Sequence, residues 1–203
     1  MNKNALACLL AFSIAAPSLA FADAPFGLTW GMSKAELEGQ GVALSPEASG
    51  EGLESYSTDL LPIDLSNADF YLLYFGKDRG LQKVSMASDN ISNDIYGTKG
   101  KEAYDRLKTA LTEKYGDPIE SFSTIGGKLW KDADEFYQCL AYDGCGIWAS
   151  FFENKESNEF IGLELKGLNR GEGYLTLAYD GPEWGTVLSE RDAETASQDS
   201  SAL

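Results

Sequence analysis

Chemistry in this chain must be built without histidine, since none occurs among its 203 residues. That excludes the Ser-His-Asp and Cys-His nucleophile pairs and any imidazole base. It also excludes zinc sites that depend on histidine. The stretches "SMAS" and "SKAE" do not match S-x-x-K, and "GLNRGEG" lacks P-loop spacing, so no serine-lysine or nucleotide site is expected. Carboxylates remain. "KDADEF" gathers Asp132, Asp134 and Glu135, with Asp143 eight residues after Glu135. Such acids could flank a glycosidic bond, which requires two carboxyls at a fixed separation. The calcium loop D-x-D-x-D-G…E is missing. The simpler reading of "KDADEF" is a charged turn, and "DNISND" (89–94) reads as a solvated loop. No catalytic residue, metal ligand or cofactor is therefore assigned.

Two cysteines, Cys139 and Cys145, flank an Asp-Gly turn in "CLAYDGC". Their meaning depends on compartment. The chain opens with Lys3, then an apolar run over 5–16 broken only by Ser13. Pro17 follows, and Ala20-Phe21-Ala22 has the small-x-small form that signal peptidase reads. A leader over 1–22 is expected, with Ser18-Leu19-Ala20 as second choice of cut. The run is short for a membrane span, which needs about 20 residues, and no membrane insertion is expected after processing. Cys8 lies too early for a lipoprotein site. The mature chain then delivers only Cys139 and Cys145 to an oxidising periplasmic or extracellular compartment. There a disulfide is the expected state, worth about 2–2.5 kcal/mol for so short a loop.

Removing Lys3 and no acid moves the formal net charge from −16 to −17. That balance disfavours nucleic acid and anionic surfaces, both of which reward Lys and Arg. It suits a solvated acidic surface, or a basic exported protein or cell-envelope component as partner. Aromatic residues are the other chemistry-bearing set. Most serve as core or cross-strand pairs. Some could form a platform for a sugar, peptide or protein. Tyr142 and Trp184 lie at turns, and with Trp148 they make up the candidate binding residues.

The elements that must hold these residues follow from pattern. Phe26, Leu28 and Trp30 alternate as in a short strand. Ser33 and Glu36 form a capping box, so a helix starts at Lys34, and Gly39 and Gly41 limit it to about two turns. Residues 44–66 show no period. "ADFYLLYFGKDRGLQKVSMAS" (68–88) reads as a hairpin turning at "GKDRG", with residues 70–75 covered on both faces. Ala103, Tyr104, Leu107, Ala110, Leu111 and Tyr115 mark a helix over about 100–115, closed by Gly116 and Pro118. Strands are expected at 126–131, 135–141, 146–153, 159–167 and 173–180. "LAYDG" occurs at 140–144 and 177–181 and is read as convergent turn chemistry. A disordered acidic tail is expected over 189–203.

The whole predicts one α+β domain over 23–188. It is a mainly antiparallel sheet with one long and one short helix packed on one face. Ile147, Ala149 and Phe151, together with Ile161, Leu163 and Leu165, are the predicted helix-facing positions.

Two motifs, "FGLTWGMSKAEL" (26–37) and "LTEKYGDP" (111–118) followed by "GKLWKD", carry a resemblance. The chain resembles uncharacterised small bacterial secreted or periplasmic proteins that open with an FGLxWGxS strand and share a LxxKYGxP helix end. The resemblance covers roughly 26–153 and implies an exported α+β fold with no activity attached. The function expected is an exported, non-enzymatic binding or protein-interaction domain, in its sharper form an inhibitor or immunity-type protein. The alternative is a carboxylate-dependent cell-wall glycan hydrolase.

Overall fold

A computed structural model of the chain describes residues 22–48 and 52–202. The leader expected over 1–22 falls, up to residue 21, outside the described residues. The fold is α+β. Four helices are described: α1 (Lys34–Gly39), α2 (Thr98–Tyr115), α3 (Phe136–Ala141) and α4 (Trp184–Ala202). The strands are β1 (Ser45–Pro46), β2 (Leu53–Thr58), β3 (Ala68–Gly76), β4 (Gly80–Ser88), β5 (Glu120–Thr124), β6 (Ile147–Asn154), β7 (Glu159–Asn169) and β8 (Glu172–Asp180). They form one antiparallel sheet in the order β1-β2-β3-β4-β8-β7-β6-β5.

That order is a mirrored pair. α1 is followed by β1 to β4, α2 by β5 to β8, and each meander runs from an outer edge to the centre. The halves join where β4 pairs with β8, Met86 opposite Leu177. The two "LAYDG" copies do not correspond under this relation, since one ends α3 and the other ends β8.

Period-two alternation sorts the side chains between faces. On one face lie Tyr71, Leu73, Val84, Met86, Leu175, Leu177, Ile161, Leu163, Leu165 and Phe152, all buried. Burying each large side chain contributes roughly 1.5–3 kcal/mol. α2 covers this face, its Tyr104 hydroxyl sharing a hydrogen bond of 2.6 Å with Ser150. α1 sits beside it through the fully buried Leu37, and α3 packs on β7. α1 starts as expected: Ser33 and Glu36 close a reciprocal capping box.

Several expectations need correction. The segment around Phe26 is a 3-10 turn over Pro25–Gly27, with Phe26 at φ 61°, rather than a strand. The turn places the Phe26 ring edge-on against Tyr71 and Tyr179, with centroids 5.0 and 5.7 Å away. Residues 44–66 hold β1 and β2, hidden in the sequence because polar Ser55 and Thr58 are the buried members of "LESYST". β5 lies at Glu120–Thr124 and 126–131 is a loop. Gly126 takes φ 79° and Trp130 φ 57°, neither compatible with a strand. Residues 136–141 are helix, preceded by a 3-10 turn over Ala133–Glu135 whose capping box joins Asp132 and Glu135.

Face assignment on β6 also differs. Phe152 pairs with Ile161 and Ser150 with Leu163. The helix-facing set is therefore Trp148, Ser150 and Phe152, and Ile147, Ala149 and Phe151 point to the other face. Ile161, Leu163 and Leu165 face the helices as expected.

The last correction concerns the tail, which is α4. Val187 is buried, and Gly76 admits it: a Cβ there would come within 2.7 Å of Val187 Cγ2. Arg79 holds Glu183 at 3.0 Å and Glu190 at 2.6 Å. The Oε1 of buried Gln82 accepts from the Glu183 N–H. α4 lies on the second face of the sheet, where Trp184 meets Tyr74 at 5.9 Å.

Candidate functional site

The clamp comes first because it fixes its surroundings. Cys139 and Cys145 form a disulfide, Cα atoms 5.1 Å apart, tying the end of α3 to the start of β6. Both residues are buried. The turn between them leaves Tyr142 exposed, and Tyr142 lines a shallow cleft of about 690 Å³ with Trp148, Lys166 and Tyr174. Trp148 itself is half-buried and committed to packing. Its ring meets Phe136 edge-on at 5.4 Å and Tyr104 at 6.5 Å, with the Lys101 ammonium 5.3 Å away.

Trp184 is elsewhere. It opens α4 on the second face and lines a cleft of about 500 Å³ with Phe160, Glu153 and Asp180. The structure thus brings Tyr142 and Trp148 together and leaves Trp184 apart from both.

The acids first considered for catalysis are engaged in local structure. Asp132 and Glu135 share their capping box, and Asp134 pairs with Arg170. Asp143 lines the Tyr142 cleft without another of the four. Among the described residues no group of three Cys, Asp or Glu converges as a metal site would require. In "DNISND", Asp94 is buried rather than solvated. Burial pushes its carboxyl up. Hydrogen bonds from the Gly100 N–H, the Tyr137 hydroxyl and the Lys99 and Thr98 amides outweigh that and hold its pKa below the ordinary aspartate value. Asp94 thereby fixes the start of α2, whose N-cap position, Gly97, has no side chain to do so.

A cavity of about 840 Å³ is lined by Trp30, Lys34, Arg79 and Glu183 among others. Its cations already have partners, Lys34 with Glu38, Lys77 with Glu194 and Arg79 with Glu183 and Glu190.

Sequence reading missed the open half of the second face. Phe122 on β5, Phe151 on β6 and Phe160 on β7 form a diagonal strip across three strands. Phe151 stacks on Phe160 at 5.7 Å with 20° between planes, and meets Phe122 edge-on at 6.3 Å. Phe122 is 38% exposed and Phe160 40%. The Phe151 ring lies over Gly162, where a Cβ would sit 3.5 Å from it, an ordinary contact distance. Glu120 stands opposite Phe151, and Glu153 opposite Phe160. Neither glutamate has an ion pair among the described residues, whereas Glu164 pairs with Lys166 and Asp180 with Lys83. Two glutamates therefore border the strip, and Lys155 shares the cleft that Glu153 lines. The signal was present as period-two alternation in "ESFST" and "NEFIG", and it was obscured when Phe151 was assigned to the core.

Among the described residues no helix is long and apolar enough to span a bilayer. Comparison with protein-family models, with curated proteins and with solved structures finds no match.

Proposed function

We propose that the chain is an exported, non-enzymatic protein-interaction domain that docks a basic partner on the open face of its sheet. One observation carries the reading: the stacked, solvent-facing Phe151–Phe160 pair, continued by Phe122 and bordered by Glu120 and Glu153. Exposed contiguous aromatic surface with a polar border is the anatomy of a docking patch. Planar rings lose little entropy on binding and bury large areas, so such residues carry much of an interface's affinity.

Trp184 extends the patch through the cleft it shares with Phe160 and Glu153. An acidic border on an acidic chain speeds encounter with a basic protein and selects against acidic ones. An exported toxin or envelope protein of basic charge fits this chemistry, with the chain as its inhibitor or immunity partner. Export itself rests on the leader pattern, cut near Ala22, and on the disulfide. Intact mass of natively extracted protein tests that step. A processed chain lacking free Cys139 and Cys145 thiols is expected.

The binding experiment immobilises the purified chain and passes cell-envelope extract over it at low salt. A stoichiometric basic protein is expected, released by raising salt and absent from a Phe151→Ser, Phe160→Ser matrix. Equal retention by the doubly substituted matrix would overturn the assignment of the face.

A further inference from the structure

We propose that β5 is a self-complementary edge through which two copies of the chain pair as a symmetric dimer. It rests on the backbone rim of the sheet rather than its face, and shares only Phe122 with the partner reading. The two rims differ. β1 is two residues long and ends in Pro46, which has no N–H to offer. A short, proline-bearing edge is how sheets prevent unwanted pairing. β5 has five residues, all exposed, with no proline or lysine and a single charge, Glu120. Its outer backbone groups are a template for another strand.

The sequence Glu-Ser-Phe-Ser-Thr reads as its own complement in antiparallel pairing about Phe122. Phe122 then faces Phe122 of the second copy, Ser121 faces Ser123, and Glu120 faces Thr124. No charge meets a like charge, the arrangement that would penalise a cross-strand pair. In the same register the flanking Ile119 and Ile125, 52% and 37% exposed, stand opposite one another and are covered together. The two-fold axis lies perpendicular to the sheet, so both open faces look the same way. Each Phe122–Phe151–Phe160 strip becomes continuous with its counterpart, and the isologous contact closes without propagating.

Size sets the strength. A five-residue strand pair with two isoleucines and one phenylalanine from each copy buries less than the roughly 1,600 Å² of a standard interface, which places the dimer among weak associations, with Kd on the order of 100 μM. Salt sets a second signature. Two chains of net charge −16 or beyond repel at long range. Screening shortens that repulsion to about 8 Å at physiological ionic strength. Added salt therefore strengthens the dimer, the opposite of its effect on a basic partner.

Sedimentation equilibrium of the purified chain, run from micromolar to about 500 μM at low and high salt, reads both signatures. The weight-average mass is expected to rise toward twice the monomer, with association tighter at high salt. Phe122→Lys and Phe122→Glu are each expected to stay monomeric, and an equimolar mixture of the two to associate again through the Lys–Glu pair at the axis. As a readout in otherwise unaltered chain, Phe122→Cys is expected to form an interchain disulfide on mild oxidation and Ser121→Cys to fail to. A wild-type chain that stays monomeric throughout overturns the proposal. So does a dimer indifferent to charge at position 122, or cross-linking equal at 121 and 122.

Discussion

The indole N–H of Trp30 donates to the carboxylate of Glu159 in a buried hydrogen bond joining positions 129 residues apart. Glu159 opens β7 and also accepts from Asn154 and Ser157. Trp30 lies in the segment that leads into α1 and is 2% exposed. The bond thus ties the first half of the mirrored sheet to the second at the end of the β4–β8 seam, where a Cβ on Gly181 would meet the Trp30 ring at 2.7 Å.

Cutting that tie has a cost that depends on what remains. Trp30→Phe keeps a ring and deletes the donor, leaving a buried carboxylate short of one partner, a loss of about 2–3 kcal/mol. Glu159→Gln keeps an acceptor for the indole and is expected to lose nearer 1 kcal/mol. Urea unfolding of the two variants checks the order. A Trp30→Phe chain as stable as wild type would show that the bond contributes nothing.

Acid sensitivity should trace to Asp94. Its folded pKa lies below the ordinary value of 3.8 because donors from the start of α2 and Tyr137 outweigh the upward push of burial. A carboxyl depressed on folding stabilises the native state in full above its unfolded pKa, and that contribution fades as pH falls through the folded value. Asp94→Asn is expected to cost about 1–2 kcal/mol at neutral pH and to flatten stability against pH below about 4. Thermal melts at pH 7 and pH 3 make the comparison. An unchanged difference between the two pH values would remove Asp94 from the account.

Reducing the Cys139–Cys145 bond is expected to lower stability by about 2 kcal/mol, the loop-closure contribution of so short a ring. Both sulfurs are buried, so a double Ser substitution should cost more than reduction alone by placing two hydroxyls in apolar surroundings. Denaturation curves with and without reductant measure the first quantity. Coincident curves would mean the bond is absent or without effect.

α4 is held by few groups, and Gly76 is the point of closest approach. Gly76→Val is expected to collide with Val187 and lift the helix while leaving the sheet paired. Limited proteolysis should then cut within 184–202 at a rate well above wild type, with the thermal midpoint of the sheet little changed. Protection equal to wild type would show that α4 does not rest there.

How much of this was legible in the sequence follows from where local pattern and tertiary contact agree. The Ser33–Glu36 box, α2 with its Gly116 stop, the β3–β4 hairpin and the β7–β8 pair are specified by residues close in the chain, and all were predicted. β2 was missed because its buried positions are Ser55 and Thr58, which carry no apolar signal. α3 reads as a strand in sequence because Phe136, Tyr137, Cys139 and Leu140 fill too short a run to separate the two periods. Its capping acids had been read as a turn.

Turn position singles out Tyr142 and Trp184, and the structure separates them: Tyr142 shares a cleft with Trp148, and Trp184 lines another. Phe151 was placed in the core by one residue of register, the slip that exchanges every side chain between faces. With it corrected, the aromatic strip emerges from the same alternation that had been used to bury it.

The open face is the central claim, and the most direct measurement is the affinity of the captured basic partner for the wild-type chain and for Phe151→Ser, by titration calorimetry at two salt concentrations. Phe151 lies on Gly162 at the sheet surface, so its removal spares the core. The result expected is a loss of at least tenfold in affinity with an unchanged melting temperature, and weaker binding of the wild type at high salt. Equal affinities for the two chains, at either salt concentration, would contradict it.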